Sequence, residues 1–293
     1  MKSKNFILNK KKIIVTGAAG FVGRNIVKQL IKQNYTIISV DKKNTNIKSK
    51  NHKYYKSSIK NFFSKRKINN LHAIIHLAAD PRNNYYYLKP ALALENISNT
   101  FLILDYIKSL KIKPILIFSS TKQIELDILT KNIGPYSISK KCSEDIIDFY
   151  SKNFGINSYI LRFSDIFSLN NNPKNKALKK FIDKCANNEN ITIDNTSHNF
   201  EYISIDTISE GIIKILKNKI NHRYINFYGN KINILFLLKK IKKILKSNSK
   251  IIIKKSTKKK IYVSRYKTLK YNVGKKNLFN SKLNLLIKNE IDN

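Results

Sequence analysis

Three glycines in the run Thr16-Gly17-Ala18-Ala19-Gly20-Phe21-Val22-Gly23 constrain this chain more than any other feature. The run follows an apolar stretch of strand character, Lys12 to Thr16, and opens an amphipathic helical stretch from Phe21 to Gln33. In that setting Gly17 makes the tight turn out of the strand. Gly20 lets backbone approach a pyrophosphate, and Gly23 lets helix and strand pack closely. The helix start, with Phe21 and Val22 in its first turn, offers free N–H groups and a partial positive charge to a phosphate. A bare glycine triplet is a weak signal. Between a strand and a helix it predicts a dinucleotide site.

Asp41 ends the second predicted strand, Tyr35 to Asp41, eighteen residues after Gly23. A carboxylate there accepts hydrogen bonds from an adenosine ribose and repels a 2′-phosphate, which favours NAD over NADP. Lys42 and Lys43 follow directly and work against that preference. The plain alternative is a turn residue at a strand end.

The rest of the chain alternates short apolar strands with amphipathic helical stretches, the sign of a parallel α/β sheet. After a polar turn region the pattern predicts a strand over His72 to Ala78 and a helix over Ala91 to Ser109. A strand over Pro114 to Ser119 follows, then a helix from Pro135 to Asn153 and a strand over Asn157 to Phe163. Beyond Ser164 it loosens into a loop at Asn170 to Pro173, a helix over Lys174 to Asn188 and short strands at Ile191 to Ile193 and Tyr202 to Ile205. A helix over Thr207 to Asn218, a strand over Tyr224 to Tyr228 and a helix over Asn233 to Leu245 complete it. The expected fold class is α/β, a doubly wound parallel sheet of Rossmann type with a small C-terminal substrate lobe. Residues 1–165 form the dinucleotide-binding domain and residues 166–293 the lobe, with segments near 205–229 returning to the main domain.

The second chemical signal is Tyr136-Ser137-Ile138-Ser139-Lys140. Four residues apart on a helix, Tyr136 and Lys140 share one face. A phenol titrates near about 10 and is a poor base at neutral pH. A neighbouring ammonium, with a positive nicotinamide ring close by, stabilises the phenolate. Lowering the titration point by about three units takes roughly 4 kcal/mol, within reach of two close charges in a partly dry site. The phenolate can then take the proton of a substrate hydroxyl while hydride leaves the same carbon. Alone, this spacing is common by chance; after a glycine fingerprint it reads as catalysis.

Together these residues resemble the extended short-chain dehydrogenase/reductases, specifically the NAD-dependent epimerase/dehydratase branch and its nucleotide-sugar 4-epimerases, from Ile13 to at least Phe227. His76-Leu77-Ala78-Ala79 is similar to the segment that lines the cofactor in that family. The resemblance implies cofactor contacts for Leu77, Ala78 and Ala79, and for Ser58 and Ile59 after the third strand. It implies a structural and proton-relay role for Asn96, a hydrogen bond from Thr121 to the reacting oxygen, and a second, cofactor-binding role for Lys140. It further implies a nucleotide-sugar substrate, a homodimer through the two long helices, and a setting in cell-surface polysaccharide synthesis. His76 itself reads as a satisfied strand histidine, and Tyr85-Tyr86-Tyr87 as loop aromatics over a cleft.

The chain also departs from that pattern. Ser58 stands where the family has an Asp reaching the adenine, Asn99 replaces a Gly, and Asp165 replaces an Asn. Phe200 sits where many nucleotide-sugar enzymes place an Arg on the diphosphate, which leaves Lys179 and Arg223 as candidates to replace that charge. Fourteen residues separate Thr121 from Tyr136, fewer than usual. Lys122-Gln123 follows Thr121 where a dehydratase has an Asp-Glu pair, and elimination needs that extra acid and base. Two further readings stand beside a sugar epimerase: a dehydrogenase or reductase of a non-nucleotide carbinol, and a non-catalytic NAD-binding module.

Composition limits the remaining classes. With 57 Lys and Arg against 18 Asp and Glu, the net charge is +39. The Lys are spread along the chain together with an excess of Asn and Ile, the residues of A- and T-rich codons. A denser run falls only at Lys239 to Lys260. This reads as compositional drift rather than a nucleic-acid footprint, though such a field attracts anions and is screened by salt. No apolar run reaches the length of a membrane span. The patch Phe6-Ile7-Leu8 is too short for a signal peptide, and Cys142 and Cys185 have no metal-ligand spacing. The expectation is a cytoplasmic protein with free thiols, no metal and no nucleic-acid partner.

Overall fold

Strand β1 (Lys12–Thr16) carries Ile13, Ile14 and Val15 with no solvent exposure, as a parallel strand covered on both faces requires. The structure, a computed structural model, describes residues 11–79, 83–170, 172–174, 176–194, 196, 198–254 and 278–291; within these, the side chains of residues 83–85, 230, 278, 280 and 281 are not described. The N-terminal patch at Phe6, the side chain of Tyr85, and Lys255 to Lys260 lie outside what is described.

From β1 the chain runs through α1 (Phe21–Lys32), β2 (Thr36–Asp41), β3 (His52–Lys56), α2 (Ile59–Lys65), β4 (Leu71–His76), α3 (Asn83–Leu88) and α4 (Leu92–Lys108). It continues with β5 (Ile115–Thr121), α5 (Gln123–Leu129), α6 (Pro135–Phe154), β6 (Ser158–Phe163), β7 (Asp165–Phe167), α7 (Ala177–Ala186) and β8 (Ile191–Ile193). The last elements are β9 (Asn199–Ser204), α8 (Ile205–Leu216), β10 (Tyr224–Phe227), β11 (Asn230–Asn233), α9 (Ile234–Leu245), β12 (Ile251–Ile253) and α10 (Leu278–Ile291).

Seven strands form one sheet in the order β10-β6-β5-β4-β1-β2-β3. β1 pairs in parallel with both β2 and β4, β2 with β3, and β4 with β5. The strand order reverses between β1 and β4, and in doubly wound sheets a ligand binds in the crevice beyond the strand ends at that switch point. The chain divides into two compact units. The first is Met1–Ser120, Ile133–Leu161 and Ile213–Arg223, and the second is Thr121–Asn132, Arg162–Ile212 and Tyr224–Asn293.

Several sequence expectations are corrected. The polar region after Asp41 is not only turn: it holds β3 and α2, where Phe62 and Phe63 are buried and Ser58 caps the helix by accepting from Asn61 N at 3.1 Å. A seven-residue helix beside a strand of sequence His-Lys-Tyr-Tyr-Lys offers too few turns for periodicity to show. The connection from Thr121 to Tyr136 contains α5 rather than an open loop. The strand expected to reach Ala78 ends at His76. The helix expected over Lys174 to Asn188 is confined to α7.

In the second unit β11, β9 and β7 form a small sheet, and β12 pairs with β8. Its core gathers Leu178 and Ile182 of α7, Leu237 and Ile241 of α9, and Leu283 and Leu286 of α10. The pattern beyond Leu245 gave no hint of α10, yet Leu283 and Leu286 are fully buried. Leu283→Ala should lower unfolding stability by about 2–5 kcal/mol through transfer loss plus a cavity. Chemical denaturation of the full chain checks this, and an unchanged midpoint would remove α10 from the core.

Candidate active site

The glycine run leaves β1 at the switch point, and its geometry follows from close backbone contact. Gly17 has φ +70°, and a Cβ there would lie 2.6 Å from Ala78 N. A Cβ on Gly23 would lie 2.2 Å from Gly17 O. Neither position tolerates a side chain, for reasons of packing as well as backbone conformation. Gly17 N donates to Val40 O at 3.0 Å and Leu77 N to Thr16 O at 3.2 Å, so the turn is tied to both flanking strands. Beneath it Thr16 Oγ1 lies 2.8 Å from His76 Nδ1. Burial, with Lys140 adding to it, pushes the His76 imidazole down to about 3, so it is neutral at working pH.

Gly20 caps α1 in extended conformation with no side chain on the helix end and no acid in the first turn. The start of α1, Phe21 and Val22 included, therefore has no competing anion and suits a pyrophosphate. Asp41 faces this loop: its Oδ2 accepts from Ala19 N at 3.0 Å and its Oδ1 from Lys43 N at 2.8 Å. Each oxygen keeps a lone pair for a ribose hydroxyl. Lys42 turns to Glu95 at 2.7 Å on an exposed surface, and Ser57 N donates to Asp41 O at 2.9 Å. That bond brings Ser58 and buried Ile59, the start of α2, to the end of the same strand as Asp41. Leu77, Ala78 and Ala79 follow β4 on the other side of the glycine turn. The residues present thus fit an adenine dinucleotide: a cradle that a Cβ would fill, an unblocked helix start, and a carboxylate for ribose.

The second cluster belongs to α6. Pro135 occupies its first turn, and Tyr136 is half-buried. Lys140 is 3% exposed, donates to Ser119 O at 2.8 Å and lies 4.7 Å from the centre of the Phe118 ring. Burial pulls its ammonium down to about 7, opposed by Glu144. Asn96, buried on α4, donates through Nδ2 to Tyr86 Oη at 2.8 Å and to Ser139 Oγ at 3.0 Å. Ser139 Oγ in turn donates to Tyr136 O at 2.7 Å, and the Tyr86 and Tyr136 rings lie 5.3 Å apart. The first unit thus brings together Asn96, Tyr136 and Lys140. Thr121 is counted with the second unit, and its Oγ1 accepts from Gln123 N at 3.1 Å. Sequence reasoning missed Ser139 and Glu144, and it read Tyr86 as a loop aromatic over a cleft, whereas Tyr86 is buried on α3. The spacing of Glu144, one turn after Lys140, was the available signal.

The departures are also explained locally. Phe200 stacks on Tyr202 at 5.3 Å and meets His198 at 4.5 Å and Phe181 at 6.1 Å in ring-centre distances, an aromatic setting. Neither cation named to replace an Arg there is free. Lys179 pairs with Asp183 at 2.6 Å and Glu290 at 3.2 Å, and Arg223 with Asp148 at 2.7 Å. Glu201 is paired with Lys122 and Lys231. Both cysteines are free thiols. Among the described residues no group of His, Cys, Asp or Glu is arranged to hold a metal, and no helix is long and apolar enough to cross a membrane.

The seven-stranded sheet and its glycine turn define a dinucleotide-binding α/β class. A sequence profile of the NAD dependent epimerase/dehydratase family matches residues 13–233. A putative UDP-glucose 4-epimerase of Methanocaldococcus jannaschii is 30% identical over 213 residues, 65% of this chain and 69% of that protein. A dTDP-D-glucose 4,6-dehydratase of Dictyostelium discoideum is 30% identical over 226 residues, 64% of this chain but only 51% of that protein. The UDP-glucose 4-epimerase of Thermotoga maritima, solved with UDP-glucose, shares the fold with a TM-score of 0.74 at 20% identity, covering 96% of this chain and 97% of that one. The chain belongs to the NAD dependent epimerase/dehydratase family, a family of enzymes, and its cofactor is NAD.

Asp41→Ala should weaken NAD roughly ten- to a hundredfold, the worth of a charge-assisted hydrogen bond, and raise affinity for NADP. Calorimetric titration of both cofactors checks this; an unchanged preference would make Asp41 a turn residue only.

Proposed function

We propose that this protein is an NAD-dependent epimerase acting on a carbinol of a nucleotide-activated sugar, with Tyr136 as acid and base. NAD supplies hydride acceptance and return. The Tyr136 phenolate takes the proton of the substrate hydroxyl as hydride leaves the same carbon, and a keto sugar results. After the keto sugar turns, Tyr136 would return the proton as the carbinol re-forms with the opposite configuration, with no net redox. Lys140 contributes positive charge beside the phenolate, and Asn96 holds the start of α6 through Ser139. Thr121 hydrogen-bonds the reacting oxygen. Gly17, Gly20, Phe21, Val22, Gly23, Asp41, Ser58, Ile59, Leu77, Ala78, Ala79 and Lys140 hold the cofactor.

The observation that carries this reading is a buried lysine fixed one helical turn from a half-buried tyrosine, on the helix beside the strand end at Ser119. A lysine is desolvated at a cost, and such cost is concentrated at functional sites. We further place the enzyme in the cytosol as a homodimer, with exposed Leu94 and Phe101 of α4 and Ile138 and Phe149 of α6 as the surface it covers.

A second reading, hydride chemistry on a carbinol without a nucleotide, is favoured by one observation. Phe200 is packed among aromatic rings, and Lys179 and Arg223 are each paired with acids. Titration of UDP, UDP-glucose and UDP-N-acetylglucosamine into the NAD-loaded protein at two salt concentrations decides between them. Micromolar binding that depends on the sugar supports the epimerase, whereas no binding at either salt turns the search to free sugars and uronic acids.

Tyr136→Phe should reduce turnover at least 10²- to 10⁴-fold, the range of general acid–base catalysis, with NAD affinity unchanged. Retained turnover would exclude Tyr136 from the chemistry.

A further inference from the structure

Glu144 has no solvent exposure, although it is an acid on a helix. It lies on α6 one turn beyond Lys140, so both project from the same face of the helix toward the end of β5. Consecutive residues of β5 receive them: Lys140 Nζ donates to Ser119 O at 2.8 Å, and Ser120 Oγ donates to Glu144 Oε1 at 2.5 Å. Burying a carboxylate is expensive. The buried ammonium one turn away on the same helix face offsets that cost, because each charge makes the other's burial tolerable.

We propose that Glu144 is a positioning residue that keeps Lys140 protonated inside the protein. This rests on the reading above in which Lys140 supports the Tyr136 phenolate. Among the described residues, the titratable groups on the elements about the pair include Tyr136 on α6, His76 on β4, which is neutral, and Tyr86 on α3, which accepts from Asn96. Phe118 on β5 adds only its ring face. Glu144 is therefore the negative charge among these neighbours, and it acts on Lys140 in the direction opposite to desolvation.

The consequence is a pH effect of definite sign. Burial pulls Lys140 in the folded chain down to about 7 from the ordinary 10.5, so the unfolded chain holds this proton more firmly. Keeping Lys140 charged in the fold therefore costs stability in full below about pH 7, and this cost fades as pH rises from there toward 10.5. Without Glu144 the folded ammonium would titrate lower still, and the cost would grow further below pH 7.

Thermal unfolding of the unliganded protein between pH 5 and 9 tests this without any substrate. The gap in Tm between parent and Glu144→Gln should be constant above about pH 7 and widen as pH falls below it. In a Lys140→Met background the buried Glu144 lacks its counter-charge, so Lys140→Met alone should lose stability as pH rises and Lys140→Met with Glu144→Gln should not. A gap constant across the whole range in the parent background would overturn the proposal and leave Glu144 as a hydrogen-bond acceptor for Ser120. With an identified substrate, the alkaline limb of the kcat/KM profile should move at least one unit to lower pH in Glu144→Gln and move back in Glu144→Asp. A profile that keeps its shape while the rate falls counts equally against it. Failure of the catalytic reading would show separately, as full turnover in Tyr136→Phe with the pH-dependent Tm gap still present.

Discussion

Between the backbone of Gly17 and that of Ala78 there is no room for a side chain, and much of the first unit depends on that approach. Gly17 turns out of β1 in a left-handed conformation, which sends the chain over the top of β4 and points the start of α1 at the switch crevice. The same turn sets the register in which Thr16 meets His76 and Thr16 O receives Leu77 N. Gly23 then rests on Gly17 O, which fixes the height of α1 above β1. The amides at the start of α1 are thus placed by backbone packing rather than by side chains.

The opposite wall is held by polar contacts. α4 meets α6 through Asn96 to Ser139 and Thr100 to Ser143, and α6 meets β5 through Lys140 to Ser119 and Glu144 to Ser120. All but half-buried Ser119 are buried residues, and an unmatched member would cost about 1–3 kcal/mol or more. A layer of leucines would be cheaper to build. A polar layer accepts only one register, and that register sets the place of Tyr136 on the helix. The same chemistry that makes the layer costly makes its geometry definite.

What could be read from the residues divides along physical lines. The glycine run, Asp41, and the Tyr136–Lys140 spacing are local, because backbone turn, strand end and helix face are set within a few residues. The long helices α1, α4, α6 and α9 and the buried strands repeat their pattern over enough turns to be legible. The short elements β3, α2, α3 and α5 do not repeat it, and α10 lies beyond a segment with no periodic signal. The burial of Tyr86 and the role of Glu144 were not legible for a different reason. Their partners, Asn96 and Ser120, are distant in sequence, so their roles exist only after α3, α4, α6 and β5 are brought together. Lys179 and Arg223 show the reverse case: free cations by composition, they are bound to acids once folded.

That last point bears on the charge of +39. A field of that size draws in any anion and fades over roughly 8–10 Å in ordinary salt. It raises encounter rates for nucleotides, sugar phosphates and nucleic acids alike, and so it discriminates among none of them. Discrimination has to come from short-range contacts, where acids are scarce and individually placed. Of 18 acidic residues, Asp41 holds the glycine loop, Glu201 and Glu290 are buried against lysines, and Glu144 lies beneath Ser120 without solvent. Against so basic a background a buried carboxylate has no lack of cations to choose from at the surface. Its placement beside one desolvated lysine is therefore a matter of local chemistry rather than of overall charge balance, and it ties that acid to whatever Lys140 does.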